Sequence, residues 1–463
     1  MRLTLEHIGR AMEAVGDFES EQDLLVSRIQ TDSRIIEPGD LFVCIPGEHF
    51  DGHRFAAEAV RKGALAVVSE HPLPQVSEMV PVLLVHNSLK ALGRLGLSCR
   101  NRFQGTVVAV TGTAGKTTVK EFLASMLGGV GSVGKNFKNW NTQLGVPLSI
   151  TGFTGQEDYW VLEAGVSVKG DMDELGELIQ PDIAVITNIG PAHLEGLGDL
   201  RGVAREKAAL LKYLRPGGWA VRSGDYPLLD TFIPPEVRGR EVIFSLTNDT
   251  AEHRGEYLGL DAQGRAGYRL FLAGEAHELT LDMSGTFVLE NVLAAAATAH
   301  SLGMRGSAML EGLRQASIPE HRCRVHRFGS WRLIDDCYNA NPLSMRLALA
   351  NAKDVAKDDP LLLLLGDMLE LGEQSEEEHE NLGALAAAAA PEKLFYAGRF
   401  APSVLRGFSS GAPKERFETV QDVEGFLHAW RELGLRRGTI LVKGSRGCRL
   451  EAYVSALVRE LAA

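Results

Sequence analysis

One segment constrains the fold more than any other, TVVAVTGTAGKTTVKEFLASML at residues 106–127. An apolar, β-branched run from Val107 to Val110 enters a glycine-bearing turn. It leaves into a helical pattern whose stripe is Val119, Phe122, Leu123, Met126 and Leu127. A strand that turns so tightly into a helix aims backbone N–H groups and the helix N-terminus at an anion. Gly112, Thr113, Ala114, Gly115, Lys116, Thr117 and Thr118 make up the turn. Lys116 is placed to reach the outer phosphates of a nucleotide, and the Thr117 hydroxyl to ligate Mg²⁺. The full phosphate-loop spacing wants glycine at position 110, where this chain has Val110. The shorter form, flanked by the strand and helix the motif requires, still predicts nucleotide binding.

The rest of the chain organises around that segment. Up to about residue 85 it mixes short strands with helical stretches: DLFVCIP reads as a strand, HRFAAEAVRKGA as a helix. NSLKALGRLGLSCRNRF reads as a connecting helix. The strands VVAVTG, YWVLEAG and IAVITNIG then alternate with helical patterns, which predicts a parallel sheet with crossover helices. From about residue 320 the pattern returns with WRLIDD, LLLLLGD, KLFYAG and TILVKG, and the alanine run before Pro391 reads as helix. At 463 residues the chain has room for two to four domains.

Charge and cysteine usage exclude several classes. A formal net charge of -12 argues against nucleic acid or an anionic membrane as the main partner. Cys44, Cys99, Cys323, Cys337 and Cys448 are odd in number and unpaired in spacing, so a disulfide framework or zinc site is not expected. No apolar run is long enough for a signal peptide or membrane span, and a cytoplasmic, soluble, monomeric protein is the expectation.

In open parallel sheets, ligands bind beyond the carboxyl ends of the strands. Glu163 ends one strand there, and His193 lies in the loop after another. Taken singly, each is as readily a solvated residue as a ligand. Sharing a sheet edge with the phosphate loop, they suit a further Mg²⁺ ion. Lys207 sits amid a stripe of Leu200, Val203, Ala204, Leu210, Leu211 and Leu214. Either it snorkels to solvent, or it is desolvated, its amine neutral and able to add carbon dioxide as a carbamate that would ligate metal.

With these residues in view the chain resembles the Mur ligases, essentially end to end. GTAGKTT resembles the family's phosphate loop, NWNTQLGVP its asparagine-rich segment, and TNIGPAHLEGLGDLRGVAREKAALL its metal segment, with Lys207 fourteen residues after His193. TDSRIIEPGDLFVCIPGEHFDGH, IDDCYNANPLSM, LGDMLELGEQSEEEH and KGSRG resemble the branch that adds D-alanyl-D-alanine to UDP-N-acetylmuramoyl-tripeptide. The resemblance implies an α/β fold of three domains: 1–85 binding the UDP substrate, 86–318 a central P-loop ATPase, and 319–463 a Rossmann-like domain. It implies ATP and two Mg²⁺ ions, with Lys207 carbamylated and Glu163 and His193 holding metal. Ser33, Arg34, Asn139, Asn141, Asn339, Lys443 and Arg446 would serve the substrates, Arg322 and Asp336 the nucleotide, and Asn291 the adenine. Three departures stand out. Gly285-Thr286-Phe287-Val288 replaces glycine-x-histidine-asparagine, so fewer polar contacts to the base are expected. His321 replaces a common glycine, and Ala164 a usual methionine.

The implied reaction is ATP-driven amide formation through an acyl phosphate. The rival readings are the sister ligase that adds the third peptide residue, the folylpolyglutamate synthases, and a P-loop nucleotide switch. The first usually carries an Asp-Asn-Pro-Arg segment, which this chain lacks. The second lack the UDP-type first domain, and a switch needs no carbamylatable lysine.

Overall fold

A computed structural model describes residues 3–16, 23–47, 50–317 and 319–462. Among the described residues a short strand pair precedes three larger sheets. β1 (Leu3–Thr4) and β2 (Leu25–Val26) form a short antiparallel pair. β3 (Ile29–Gln30), β4 (Leu41–Val43), β5 (Ala66–Ser69) and β6 (Val82–Leu84) make a parallel sheet in sequence order. Residues 48 and 49 of the DGH-bearing segment lie outside the described residues. The connecting helix is Ser88–Arg102, one residue shorter at each end than its sequence pattern and capped by the Asn87 side chain.

The second sheet has nine strands: β7 (Thr106–Thr111), β8 (Val133–Lys135), β9 (Tyr159–Glu163), β10 (Ile183–Ile186), β11 (Trp219–Ser223), β12 (Glu241–Ser245), β13 (His253–Leu260), β14 (Ala266–Leu272) and β15 (Glu275–Leu281). Their spatial order is β15-β14-β13-β12-β11-β10-β7-β9-β8. Strands β8 to β13 pair parallel with their neighbours and β7, whereas β13, β14 and β15 form an antiparallel meander. That meander is not evident from the alternating pattern of the rest. Helices cover both faces of the parallel part, so its strands read as continuous apolar runs. Val107, Val108, Ala109 and Val110 of β7 are all fully buried.

From β7 the chain crosses to one side for β8 and β9, then to the other for β10. The topological switch therefore falls at β7, and open α/β sheets bind ligands in the crevice such a switch leaves. The helix after β7, Lys116–Gly128, buries Val119, Phe122, Leu123, Met126 and Leu127 to 2 % exposure or less. At about 1.5–3 kcal/mol per buried large apolar side chain, that face alone ties the helix to the sheet by on the order of 10 kcal/mol before entropy.

A third sheet of six strands runs β16-β17-β21-β18-β19-β20, parallel except for β16. Its strands are β16 (Arg324–Phe328), β17 (Trp331–Asp335), β18 (Leu361–Gly366), β19 (Lys393–Ala397), β20 (Phe417–Thr419) and β21 (Gly438–Lys443). The alanine run ends the helix Ser375–Ala388. No helix among the described residues is long and apolar enough to cross a membrane.

Candidate active site

The phosphate-loop turn is held by groups the loop does not itself supply. Gly112 (φ +151°) and Gly115 (φ +81°) are the residues that let it form. A Cβ on Gly112 would lie 1.9 Å from Thr187 Oγ1, and one on Gly115 1.9 Å from Asn291 Oδ1. The Ala114 N–H donates to Asn188 Oδ1 (2.8 Å), and Thr187 Oγ1 donates to the Ala114 carbonyl (2.8 Å). Thr113 Oγ1 bonds both the carbonyl and the N–H of Gly190 at 3.0 Å. Lys116 Nζ folds back onto the Gly112 carbonyl (2.9 Å). Burial lowers the Lys116 pKa, Glu163 opposes that fall, and the Arg322 charge adds to it.

Glu163 ends β9 beside the loop and is buried. Its Oε2 accepts from Thr117 Oγ1 (2.7 Å) and its Oε1 from Asn141 Nδ2 (2.6 Å). Asn136 fixes the backbone behind it, accepting from the Glu163 N–H (2.9 Å) and donating to the Glu163 carbonyl (3.0 Å). Asn136 thereby extends the β8–β9 pairing by one side chain. The buried ammonium of Lys120 clamps the same segment through the Asn136 and Lys138 carbonyls (2.9 and 2.6 Å). Sequence reasoning passed over Asn136 and Lys120; the placement of Lys120 in the phosphate-loop helix was the available signal.

His193 follows β10 at φ +50°, and its Nδ1 meets Glu370 Oε2 of the third sheet's domain. Glu370 was not singled out from the sequence, although it lies in the LGDMLELGE segment. With Nδ1–H directed at a carboxylate, Nε2 keeps its lone pair for a metal. Lys207 does not snorkel. It is 1 % exposed on the helix Leu200–Ala208, and its side-chain amine makes no hydrogen bond among the described residues. Burial, reinforced by the Lys116 charge, holds its pKa well below the ordinary lysine value. Leu200, expected on the apolar stripe, is 39 % exposed, because it sits in the first turn after the Asp199 cap.

Across from the loop, the third sheet presents its own strand ends. Asp336 follows β17 and Lys443 ends β21; Lys443 Nζ donates to Asp336 Oδ2 (2.6 Å) and to the Asn339 carbonyl (3.0 Å). The Arg322 guanidinium lies 4.1 Å over the Tyr338 ring, and that of Arg446 lies 5.4 Å from it. Asn341 caps the next helix and donates to the Thr113 carbonyl at 3.5 Å, joining the two domains at the loop.

These groups line one cavity of about 560 Å³. Its polar end holds residues 113–118, Asn139, Asn141, Glu163, His193, Arg322, Asp336, Asn339 and Lys443. Its apolar side holds Met283, Phe287, Leu347 and Ala348. Asn291 lines it too, but beside Gly115 at the loop, and its buried Oδ1 has no hydrogen-bond partner. Gly112, Lys207 and Arg446 do not line it. Ser33 and Arg34 lie apart on the first domain, in a short turn where Lys62 bonds the Ser33 carbonyl and Arg34 pairs with Asp32. Glu290, unremarked in the sequence, also lines the cavity and is buried, with its pKa pushed up to about 7 by that burial. Asn188 Nδ2 donates to Glu290 Oε2 (3.2 Å), so Asn188 links Glu290 to the loop amide of Ala114.

A nucleotide-binding loop, an acid at the neighbouring strand end and a second α/β domain facing both are the frame of an ATP-dependent ligase. Three family models match the chain: the Mur ligase family, catalytic domain, over residues 25–98; the Mur ligase middle domain over 110–299; and the Mur ligase, glutamate ligase domain, over 321–446. The UDP-N-acetylmuramoyl-tripeptide–D-alanyl-D-alanine ligase of Escherichia coli (strain K12) is 31% identical, with 94% of each chain covered. That of Bacillus subtilis (strain 168) is 29% identical over 99% of both. Among solved structures, MurF from Acinetobacter baumannii matches with a TM-score of 0.89 at 29% identity, covering 99% of each chain. MurF ligase from Thermotoga maritima in complex with ADP matches at 0.83 and 28%, covering 95% of this chain and 99% of that one. The chain belongs to the Mur ligase family. Within it, the chain falls in the branch of these relatives, the UDP-N-acetylmuramoyl-tripeptide–D-alanyl-D-alanine ligases.

Proposed function

We propose that this chain joins D-alanyl-D-alanine to UDP-N-acetylmuramoyl-tripeptide, with ATP converted to ADP and phosphate. The observation that carries the reading is the convergence of the phosphate loop and Glu163 from one domain with Arg322, Asp336 and Lys443 from the next on one cavity. At about 560 Å³ it is of the size that holds a small-molecule ligand. Its apolar side suits a purine, and its loop end suits phosphates.

A carboxylate does not acylate an amine near neutral pH, because oxide is too poor a leaving group. The tripeptide carboxylate oxygen attacks the γ-phosphorus, the bond to the ADP oxygen breaks, and an acyl phosphate results. The dipeptide amine then adds to its carbonyl carbon, the ammonium proton is lost, and the tetrahedral intermediate expels phosphate. Lys116, released from the Gly112 carbonyl, and the loop N–H groups offset charge gathering on the transferring group. Arg322, stacked on Tyr338, adds a second cation from across the cavity.

The donors Thr117 Oγ1, Glu163 and His193 Nε2 form an oxygen-rich set that fits Mg²⁺. When bound, Mg²⁺ supplies neutralisation of phosphate charge. A carbamate on Lys207 would add two oxygens to that set, and a second ion is part of the proposal. The neutral amine needed to take up carbon dioxide is favoured by the burial and the unpartnered state of Lys207. A second cavity of about 380 Å³, lined by Lys90 and Arg94 of the connecting helix, shares Gln143 with the first. Its two basic side chains would suit an anionic part of the UDP substrate, whose uridine end falls to the first domain with Ser33 and Arg34.

The test is release of ADP and phosphate with ATP, Mg²⁺, UDP-N-acetylmuramoyl-tripeptide and D-alanyl-D-alanine, each omitted in turn. Turnover that requires both the UDP-peptide and the dipeptide is expected. Turnover that persists without either overturns the substrate assignment.

A further inference from the structure

A second group of metal-binding side chains lies at the root of the third domain's strand β17, behind the nucleotide cavity. His321 Nδ1 is 2.8 Å from Asp335 Oδ2, and Cys337 Sγ is 3.2 Å from Asp335 Oδ1. One donor atom from each of the three falls within 4.8 Å of the other two. Asp335 and Cys337 are 3 % and 2 % exposed, and His321 is half-buried. His326 of strand β16 stands outside that group. His326 Nε2 is 3.9 Å from Asp335 Oδ2, buried, and without a hydrogen-bond partner.

We propose that His321, Asp335 and Cys337 bind a thiophilic divalent cation of the Zn²⁺ type, with water in the fourth position. The donor set is one imidazole, one carboxylate and one thiolate, which selects such an ion over Mg²⁺. Metal–donor distances of about 2.0–2.3 Å place tetrahedral donors about 3.3–3.8 Å apart. The three donors, within 4.8 Å of one another, reach that spacing with side-chain shifts on the order of an ångström. Burial and the Asp335 charge keep the Cys337 thiol protonated in the metal-free protein, so metal binding releases that proton to solvent.

The site has a direct route to the active cavity. Arg322 and Cys323 follow His321, and Asp336, Tyr338 and Asn339 surround Cys337; all five line the cavity. An ion there would fix the two segments that carry the third domain's nucleotide contacts. The inference stands on these side chains and not on the identity of the substrates.

The test uses Co²⁺ as a spectroscopic probe on the full-length chain in excess Mg²⁺, followed by Zn²⁺ competition. The expected result is one equivalent of Co²⁺ with a thiolate-to-cobalt charge-transfer band that Zn²⁺ abolishes. The band should vanish in Cys337→Ser, and affinity should fall about 100-fold or more in His321→Gln, a milder change at a partly exposed residue. An unchanged melting curve in both variants, recorded without added Co²⁺ or Zn²⁺, verifies that they are folded. Absence of a thiolate band in the unmodified protein overturns the proposal, as does equal Co²⁺ affinity in all three proteins.

Discussion

Replacing Glu290 by glutamine separates an electrostatic cost from a packing role at the phosphate loop. The carboxyl is buried in the helix Thr286–Ser301, and its pKa is raised from 4.5 to about 7. Desolvation is the main cause and the Asp225 charge adds to it, while hydrogen bonds from Tyr226 and Asn188 act the other way. A folded-state pKa above the unfolded one means the folded protein binds more protons between the two values. Stability is therefore full below about pH 4.5 and is lost as pH rises through about 7. A rise of two and a half pH units, at about 1.4 kcal/mol each, corresponds to on the order of 3 kcal/mol. Glutamine keeps the shape and an acceptor for Asn188 but carries no charge. Urea unfolding at pH 5 and pH 8.5, following the transition that ADP shifts, isolates the central domain. The unmodified protein should lose on the order of 3 kcal/mol more over that range than Glu290→Gln. Equal pH dependence in the two proteins would refute the reasoning and leave Glu290 as a packed, neutral spacer at every pH.

Two further outcomes follow from the loop and its metal segment. Gly115→Ala places a Cβ at φ +81° and 1.9 Å from Asn291 Oδ1, so the turn must strain and Asn291 must leave. With roughly 1–2 kcal/mol for the left-handed conformation alone, ADP affinity by calorimetry should fall about tenfold or more; an unchanged Kd contradicts the loop geometry. Glu370→Gln should weaken Mg²⁺ activation by about tenfold or more, because the carboxylate that orients His193 is lost. Since Glu370 is 58% exposed, the pair itself contributes no more than about 1 kcal/mol to stability. A Mg²⁺ titration of turnover beside a melting curve distinguishes the two effects, and a large stability loss with normal Mg²⁺ dependence would count against the orienting role.

The phosphate loop was legible because its strand, turn and helix lie within 22 consecutive residues, although the groups that brace it come from elsewhere. The β-branched strand, the two glycines and the helical stripe are local choices that agree with one another. Glu163, His193 and Lys207 were legible for a different reason: each breaks the apolar pattern of a buried element or its end. For Lys207 the pattern left two readings open, and only burial on all sides, supplied by distant segments, decides between them. The meander β13–β15 was missed because its strands are half-exposed and alternate, unlike the continuous runs around them.

What stayed hidden depends on contacts across the chain. Asn188 and Glu290 are 102 positions apart, and His193 and Glu370 are 177 apart, so no local period relates them. The departure at Phe287 and Val288 shows how such contacts change the meaning of a motif. Val288 is fully buried, so it has no contact to offer a base, while Phe287 lines the cavity with Met283, Leu347 and Ala348. Asn291, expected at the adenine, has its side-chain oxygen beside Gly115 instead. On the proposed function the base would rest on apolar surface drawn partly from the third domain's helix Pro342–Ala356, with the phosphates at the loop of the second. A nucleotide seated this way would itself bridge the two domains and bind best to the arrangement in which they meet. Its differential affinity for that arrangement is what would draw them together and exclude the water that would hydrolyse an acyl phosphate.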